Sequence, residues 1–275
     1  FTYDLSSGGI KKALELTGGK MDTATVARCI ASDVLSFEPG TKWQYSLCHD
    51  VLAGLVSIVS GMPFREYVKK NIFEPLGMTD TVYHTTPEIE AKTAEQYTFV
   101  PNGSDENFDV VEAQMFGNAT DGRLKNIGKK VNGFILGPEY DSGGAGITTT
   151  VSDYNKLLTA LANFGLGLSG ERILARGSVE LLRTNTLSDK LLPYFSWRQL
   201  KGYGYGYGVR TLIDKAAAGS VGNIGEFGWG GAAGATALVD PKINMAFFFV
   251  QHTCNPREEY YQPRLRNVVY NCIER

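Results

Sequence analysis

The chain has 275 residues, of which 43% are hydrophobic and 20% charged, ordinary proportions for a water-soluble globular fold with material for one large domain or two smaller ones. Its net charge of -2 and its lack of a long basic run argue against nucleic acid or an anionic membrane surface as partner. The longest apolar runs, such as Met245 to Val250, are far too short to span a bilayer.

The opening FTYDLSSGGIKKALEL lacks a charged segment followed by an apolar one, so it does not read as a signal peptide; with no leading methionine, the beginning is expected to be missing. Cys29, Cys48, Cys254 and Cys272 are widely spaced with no C-x-x-C pair. They read as reduced, partly buried thiols, which leans towards the cytoplasm.

Phe37 to Leu47 reads FEPGTKWQYSL: Pro39-Gly40-Thr41 signals a turn, and a helix-like stretch follows to Ser60. This predicts Tyr45 at the mouth of a helix, where its hydroxyl can face a cleft. Leu47, Val51, Leu52, Leu55 and Val59 recur at helical spacing and predict the buried face of that helix. Gly61 breaks it, Pro63 opens a second helix with Phe64, Tyr67, Val68 and Ile72 inward, and EPLGM closes it.

From Asn102 to Gly146 no period survives, which predicts a long irregular excursion at a functional rim. Ser152 is expected to cap a helix with Tyr154, Leu157, Leu158 and Leu161 inward, and a short helix is expected around Val179 to Arg183. Residues 202 to 208 alternate glycine and tyrosine, and Val209, Thr211 and Ile213 suggest a strand. Phe227 to Val239 and Ile243 to His252 flank Asp240-Pro241-Lys242, a hairpin signal. Tyr261, Leu265, Val268, Val269 and Cys272 predict the inner face of a closing helix. Helices first and sheet last make an α+β layout, with a mostly helical domain over 1–198 and the C-terminal antiparallel strands and closing helix over 199–275.

Several chemistries find little support. His49, His84 and His252 show no metal-binding spacing. Gly143-Gly144-Ala145-Gly146 lacks the ending of a phosphate-binding loop, and no G-x-S-x-G elbow occurs. No serine has a lysine three residues on. The glycine cluster GEFGWGGAAGA, Gly225 to Ala235, reads either as a tight turn or as a strand against which a substrate lies. In the second case Gly230 and Gly231 allow close approach, and the Ala232 N–H can point at a developing oxyanion.

PGT-x-W-x-YS, SGMPFREYVKKNIFEPLGM, GGAGITTTVSDY and FGWGGAAGATALVDP occur in one order. Together they resemble the serine β-lactamase-like superfamily, most closely the branch of class C β-lactamases, D-alanyl-D-alanine peptidases and family VIII carboxylesterases. The resemblance runs through essentially the whole chain. It implies an antiparallel sheet flanked by helices plus a mostly helical domain, no cofactor, and acyl transfer through a serine acyl-enzyme. Three motifs carry that chemistry. The second, Y-x-N, falls on Tyr45-Ser46-Leu47, with Tyr45 in proton transfer and Leu47 in the substrate-binding position. The third, K-T-G or H-x-G, falls on Trp229-Gly230-Gly231, which implies substrate contact there and an oxyanion N–H on Ala232. The first, S-x-x-K, is not in this chain, so the resemblance implies an N-terminally incomplete piece. It would lack the nucleophile helix, the first helix and the first strands, have an unpaired sheet edge, and be inactive alone.

At pH 7 a free tyrosine, with pKa about 10, is roughly one part in a thousand phenolate. Lowering that pKa by three units takes about 4 kcal/mol, which a close ammonium in a partly desolvated cleft can supply. In the family that cation is the S-x-x-K lysine. Leu47 and Trp229 replace the amide and the cation of the usual motifs, so the resemblance favours an ester with an apolar group lying against Trp229 and the loop from Asn102 to Gly146. A β-lactamase or D-alanyl-D-alanine peptidase is the enzyme alternative, and a catalytically dead ligand-binding relative the alternative of another class. The substrate expected is a small ester or β-lactam-like molecule; the oligomeric state is open.

Overall fold

The computed structural model describes residues 3–102, 121–129, 134–254 and 257–273. Much of the excursion expected between Asn102 and Gly146 therefore lies outside the described residues. What is described there corrects the expectation of an irregular loop. Strand β2 (Gly122–Gly128) pairs antiparallel with β1 (Gln96–Pro101), and β1 pairs in parallel with the short β9 (Thr253–Cys254). The reason is local: Tyr97, Thr98, Phe99 and Val100 form a short β-branched and aromatic run that pairs with whatever strand lies beside it.

The first part of the chain is helical. Helix α1 (Gly8–Leu16) is capped by the Ser7 hydroxyl and α2 (Thr23–Ile30) by the Asp22 carboxylate, each accepting a backbone N–H of the first turn. Helix α3 (Cys48–Ser60) ends at Gly61, which takes a left-handed conformation (φ 69°). The face of α3 differs from the sequence expectation. Leu47 is buried and Val51 half-buried, but Leu52, Leu55 and Val59 are exposed, while Asp50, Ala53 and Gly54 turn inward. Close packing decides this: a Cβ on Gly54 would fall on Ala27 of α2, so the small face of α3 meets α2 and the bulky face is left outside.

Helix α4 (Phe64–Val68) runs into a π-turn (Lys69–Phe73), and the short α5 (Pro87–Lys92) precedes β1. Helix α6 (Val151–Ala162) is capped by Thr150, whose hydroxyl accepts the Asp153 N–H at 3.1 Å; the expected cap, Ser152, lies inside the first turn. Thr150 has the extended conformation a cap requires, and Ser152 is already helical. As anticipated, α6 packs Tyr154, Leu157, Leu158 and Leu161 into the core. Helix α7 spans Arg176–Leu182, and two 3₁₀ turns follow at Leu192–Tyr194 and Arg198–Leu200.

The main sheet has strand order β3 (Tyr203–Tyr205), β4 (Arg210–Leu212), β5 (Phe227–Gly228), β7 (Ala235–Asp240) and β6 (Gly230–Gly231), with β8 (Met245–Val250) also on β7. All its pairings are antiparallel. The short α8 (Lys215–Ala218) joins β4 to β5. Phe227 to Val239 is not one strand. β5 and β6 run up to a turn at Ala232–Gly234 and return as β7, so Phe227 faces Val239 and Gly231 faces Ala235. The hairpin through Asp240 is as expected, with Asp240 opposite Met245.

The closing helix α9 (Glu258–Asn271) turns a polar stripe inward. Gln262, Arg266 and Tyr270 are buried, whereas Tyr261, Val268 and Cys272 are exposed. Polar acceptors beneath it, the Gln199 carbonyl for Arg266 and Asp240 for Tyr270, accompany this orientation. Arg210 and Glu226 are both buried and joined at 3.2 Å, the Tyr203 hydroxyl donates to Glu226 at 2.5 Å, and the Arg266 guanidinium lies over the Tyr203 ring. A buried ion pair needs further polar partners, and here the Tyr203 hydroxyl and the Ala237 carbonyl supply them, while on α9 Arg266 donates to the Gln199 carbonyl and Tyr270 to Asp240. Cys48 is likewise exposed rather than partly buried. Among the described residues no single helix is long and apolar enough to cross a membrane.

Candidate active site

The loop before α3 carries Tyr45 into a cluster of rings drawn from four parts of the chain. Its ring stacks on Tyr3 at 5.1 Å between centroids, lies parallel to Trp229 at 6.1 Å, and meets Trp197 at 5.2 Å. Trp43 packs edge-on against Phe195 and Tyr205, and Trp229 reaches Phe195, Trp197 and Tyr205. The two motif segments, Trp43 to Leu47 and Trp229 to Ala232, are thus neighbours in space. Trp229 and the following glycines are half-buried on one branch of the β5–β7 hairpin; Ala232 is exposed at its turn, and among the described residues its N–H has no backbone acceptor.

Leu47 sits elsewhere. It is 3% exposed and packs among Ile10, Met21, Val26, Ile30 and Tyr140, in the core beneath α1 and α2.

The electrostatics around Tyr45 run against ionisation. Burial, then the negative charges of Asp50 and Glu258, push its hydroxyl above the ordinary tyrosine value, and a weaker hydrogen-bonding influence of the Trp229 indole opposes them. Among the described residues no cation takes part. Tyr205, beside it, is pushed up to about 12, chiefly by burial. Burial lowers His49 on α3 below the usual histidine value, with Asp50 opposing.

Asp50 anchors the glycine segment to the same helix. One carboxylate oxygen accepts from the Tyr140 hydroxyl at 2.7 Å, the Ser142 hydroxyl at 2.7 Å and the Gly143 N–H at 3.1 Å. Next to this, Asp141 receives the Arg65 guanidinium and His84 Nε2, both at 2.9 Å, so His84 has the structural role expected of it. Sequence reading missed Tyr3, Trp197, Asp50 and Glu258 around the motif tyrosine and Phe195 against Trp43 and Trp229. For Asp50 there was one signal, an acidic residue on an otherwise apolar helix; Glu258 had none.

Comparison with known proteins identifies the family and the fold. Residues 6–270 match the Beta-lactamase family model, and the chain belongs to that family. The esterase EstB of Burkholderia gladioli is 29% identical over 247 residues, covering 89% of this chain and 58% of that protein. A putative D-alanyl-D-alanine carboxypeptidase of Escherichia coli O157:H7 is 23% identical, covering 84% and 50%. Among solved structures, EstCE1, described as a hydrolase with promiscuous acyltransferase activity, superposes with TM-score 0.68 at 22% identity, covering 98% of this chain and 68% of that one. Simvastatin synthase of Aspergillus terreus gives TM-score 0.68 at 18% identity, covering 100% and 67%. The mixed α+β fold is therefore that of the β-lactamase and transpeptidase-like hydrolases. The chain spans about half the length of the curated relatives it matches.

Proposed function

We propose that this chain forms the tyrosine and oxyanion side of a serine hydrolase that acts on carboxylic esters through an acyl-enzyme. The observation that carries this reading is the aromatic cluster in which Tyr45 and Trp229 lie parallel. Where relatives of the resemblance carry a cation in the third motif, this chain presents an indole, so the wall suits an apolar group better than a carboxylate. The esterase name of one relative points the same way.

In this reading Tyr45 carries the proton between the serine nucleophile and the leaving alcohol. The Ala232 N–H, unclaimed by any backbone acceptor among the described residues, stabilises the oxyanion, and Gly230 and Gly231 let the acyl group approach the strand. Tyr45 is held protonated by its surroundings here, so it needs a cation to act as a base. We assign that cation and the serine to an S-x-x-K segment outside these 275 residues, and expect the 275 residues alone to turn over no ester.

The test is hydrolysis of short-chain nitrophenyl esters by the natural full-length protein and its Tyr45→Phe variant. Removing a general acid–base group should lower kcat by about 100-fold or more. Unchanged turnover in the variant sinks the role of Tyr45. Rapid acylation by a penicillin with little ester turnover favours the peptidase or β-lactamase reading instead. An upstream sequence with no serine and lysine at that spacing leaves only ligand binding.

A further inference from the structure

Behind the strand that carries Trp229 lies a carboxyl group that the family motifs do not account for. Glu258, at the start of α9, accepts a hydrogen bond from Gln199 Nε2 at 3.2 Å through one oxygen. Its other oxygen lies 3.3 Å from the point that a Cβ on Gly230 would occupy, and Gln262 Nε2 would collide with that same point. Strand β6 thus rests directly on these two side chains, and a side chain at 230 would have to displace the Gln262 amide. Gln262 is 3% exposed, and among the described residues its amide nitrogen has no hydrogen-bond partner. After burial and Asp50, the negative charge of Glu258 is the third influence holding the Tyr45 hydroxyl above its ordinary value.

We propose that Glu258 is a positioning residue of this site: held by Gln199, it braces Gly230 from behind, and its carboxylate is one of the two negative charges that bear on the Tyr45 hydroxyl. The groups around it are few. Glu259, its neighbour on α9, repels it; Arg257, at the helix cap, lies over the Tyr260 ring; Arg266, two turns on, donates to the Gln199 carbonyl. Gln199 faces it from the second 3₁₀ turn, which also carries Arg198, and Tyr45 from the loop before α3. Strands β5 and β6 bring no ionisable side chain. Among the described residues none of these cations forms an ion pair with Glu258.

Burial pushes Glu258 up to about 7, with the Gln199 hydrogen bond lowering it and the charge of Glu259 raising it. Below that pH the carboxyl is neutral and the Tyr45 phenolate forms more easily; above it the carboxylate opposes the phenolate. The consequence for catalysis rests on the proposed role of Tyr45, but the two titrations do not.

The experiment is a pH titration of tryptophan fluorescence, since Trp229 adjoins Gly230 and Trp197 stands two residues before Gln199, the two residues Glu258 meets, joined to a tyrosinate difference titration. The parent chain should show a fluorescence transition near pH 7 that Glu258→Gln abolishes. Glu259→Gln should move it down and Gln199→Leu should move it up. Subtracting Tyr45→Phe spectra isolates Tyr45, which should deprotonate at lower pH in Glu258→Gln. A role in packing alone would cost stability without moving Tyr45. The proposal is overturned if the transition survives Glu258→Gln, or if Tyr45 titrates unchanged. Should Glu258→Gln fail to fold, equal midpoints in Glu259→Gln and Gln199→Leu overturn it. All readouts are free of turnover, so a failed esterase assay leaves them standing.

Discussion

The rings of Tyr45 and Trp229 lie parallel to within 4° at 6.1 Å between centroids, although one precedes a helix early in the chain and the other sits on a hairpin late in it. Trp197 lies against both, at 5.2 Å from Tyr45 and 6.0 Å from Trp229, so the three rings form one packed cluster. A change at either should therefore be read at both.

Trp229→Lys tests that coupling. An ammonium in place of the indole favours the phenolate, so Tyr45 should deprotonate at lower pH than in the parent chain. A tyrosinate difference titration against Tyr45→Phe measures it. A shift to higher pH, or none, would mean that the side chain at 229 does not reach the hydroxyl.

The Arg210–Glu226 pair lies under the sheet with both side chains at most 1% exposed. Glu226→Ala leaves Arg210 buried and unpaired and should cost about 3–5 kcal/mol in urea unfolding. Arg266 sits close by, and burial, then repulsion from Arg210, already pulls it down to about 10. Replacing Arg210 and Glu226 together by apolar residues of similar volume should cost less than Glu226→Ala.

Asp50→Ala removes the acceptor of three donors, the Tyr140 and Ser142 hydroxyls and the Gly143 N–H. At about 1–3 kcal/mol for each buried donor left unsatisfied, the loss should reach at least about 3 kcal/mol. Hydrogen exchange should quicken at Gly143. Asp50→Asn keeps an acceptor oxygen and should lose less.

His49 is held below its ordinary value of 6.5 by burial. A buried neutral histidine contributes stability that is present above 6.5 and lost as the pH falls through its depressed folded value. His49→Gln should therefore flatten the loss of stability on the acid side of 6.5 and leave the unfolding midpoint above it nearly unchanged. An identical acid limb in both proteins would remove His49 from the pH dependence.

The local signals were legible where one segment decides the outcome. The turn at Pro39-Gly40, the glycine that ends α3 and the hairpin through Asp240 all rest on the conformational preferences of a few adjacent residues. The faces of α3 and α9 were not legible. Apolar periodicity pointed to Leu52, Leu55 and Val59 and to Tyr261, Val268 and Cys272, yet these are exposed. On α3 a close approach to α2 favours the side with Gly54. On α9 the Gln199 carbonyl and Asp240 offer acceptors to the side with Arg266 and Tyr270.

The site divides in the same way. Order of motifs in the sequence was enough to place the chain in its family and to single out Tyr45, Trp229 and Ala232, because those patterns are carried by contiguous residues. Tertiary structure alone decided that Leu47 enters the core, that Tyr3, Phe195, Trp197 and Tyr205 complete the aromatic wall, and that Glu258 stands behind Gly230. Those relations depend on distance between segments far apart in the chain, and the charge environment that holds the Tyr45 proton depends on them in turn.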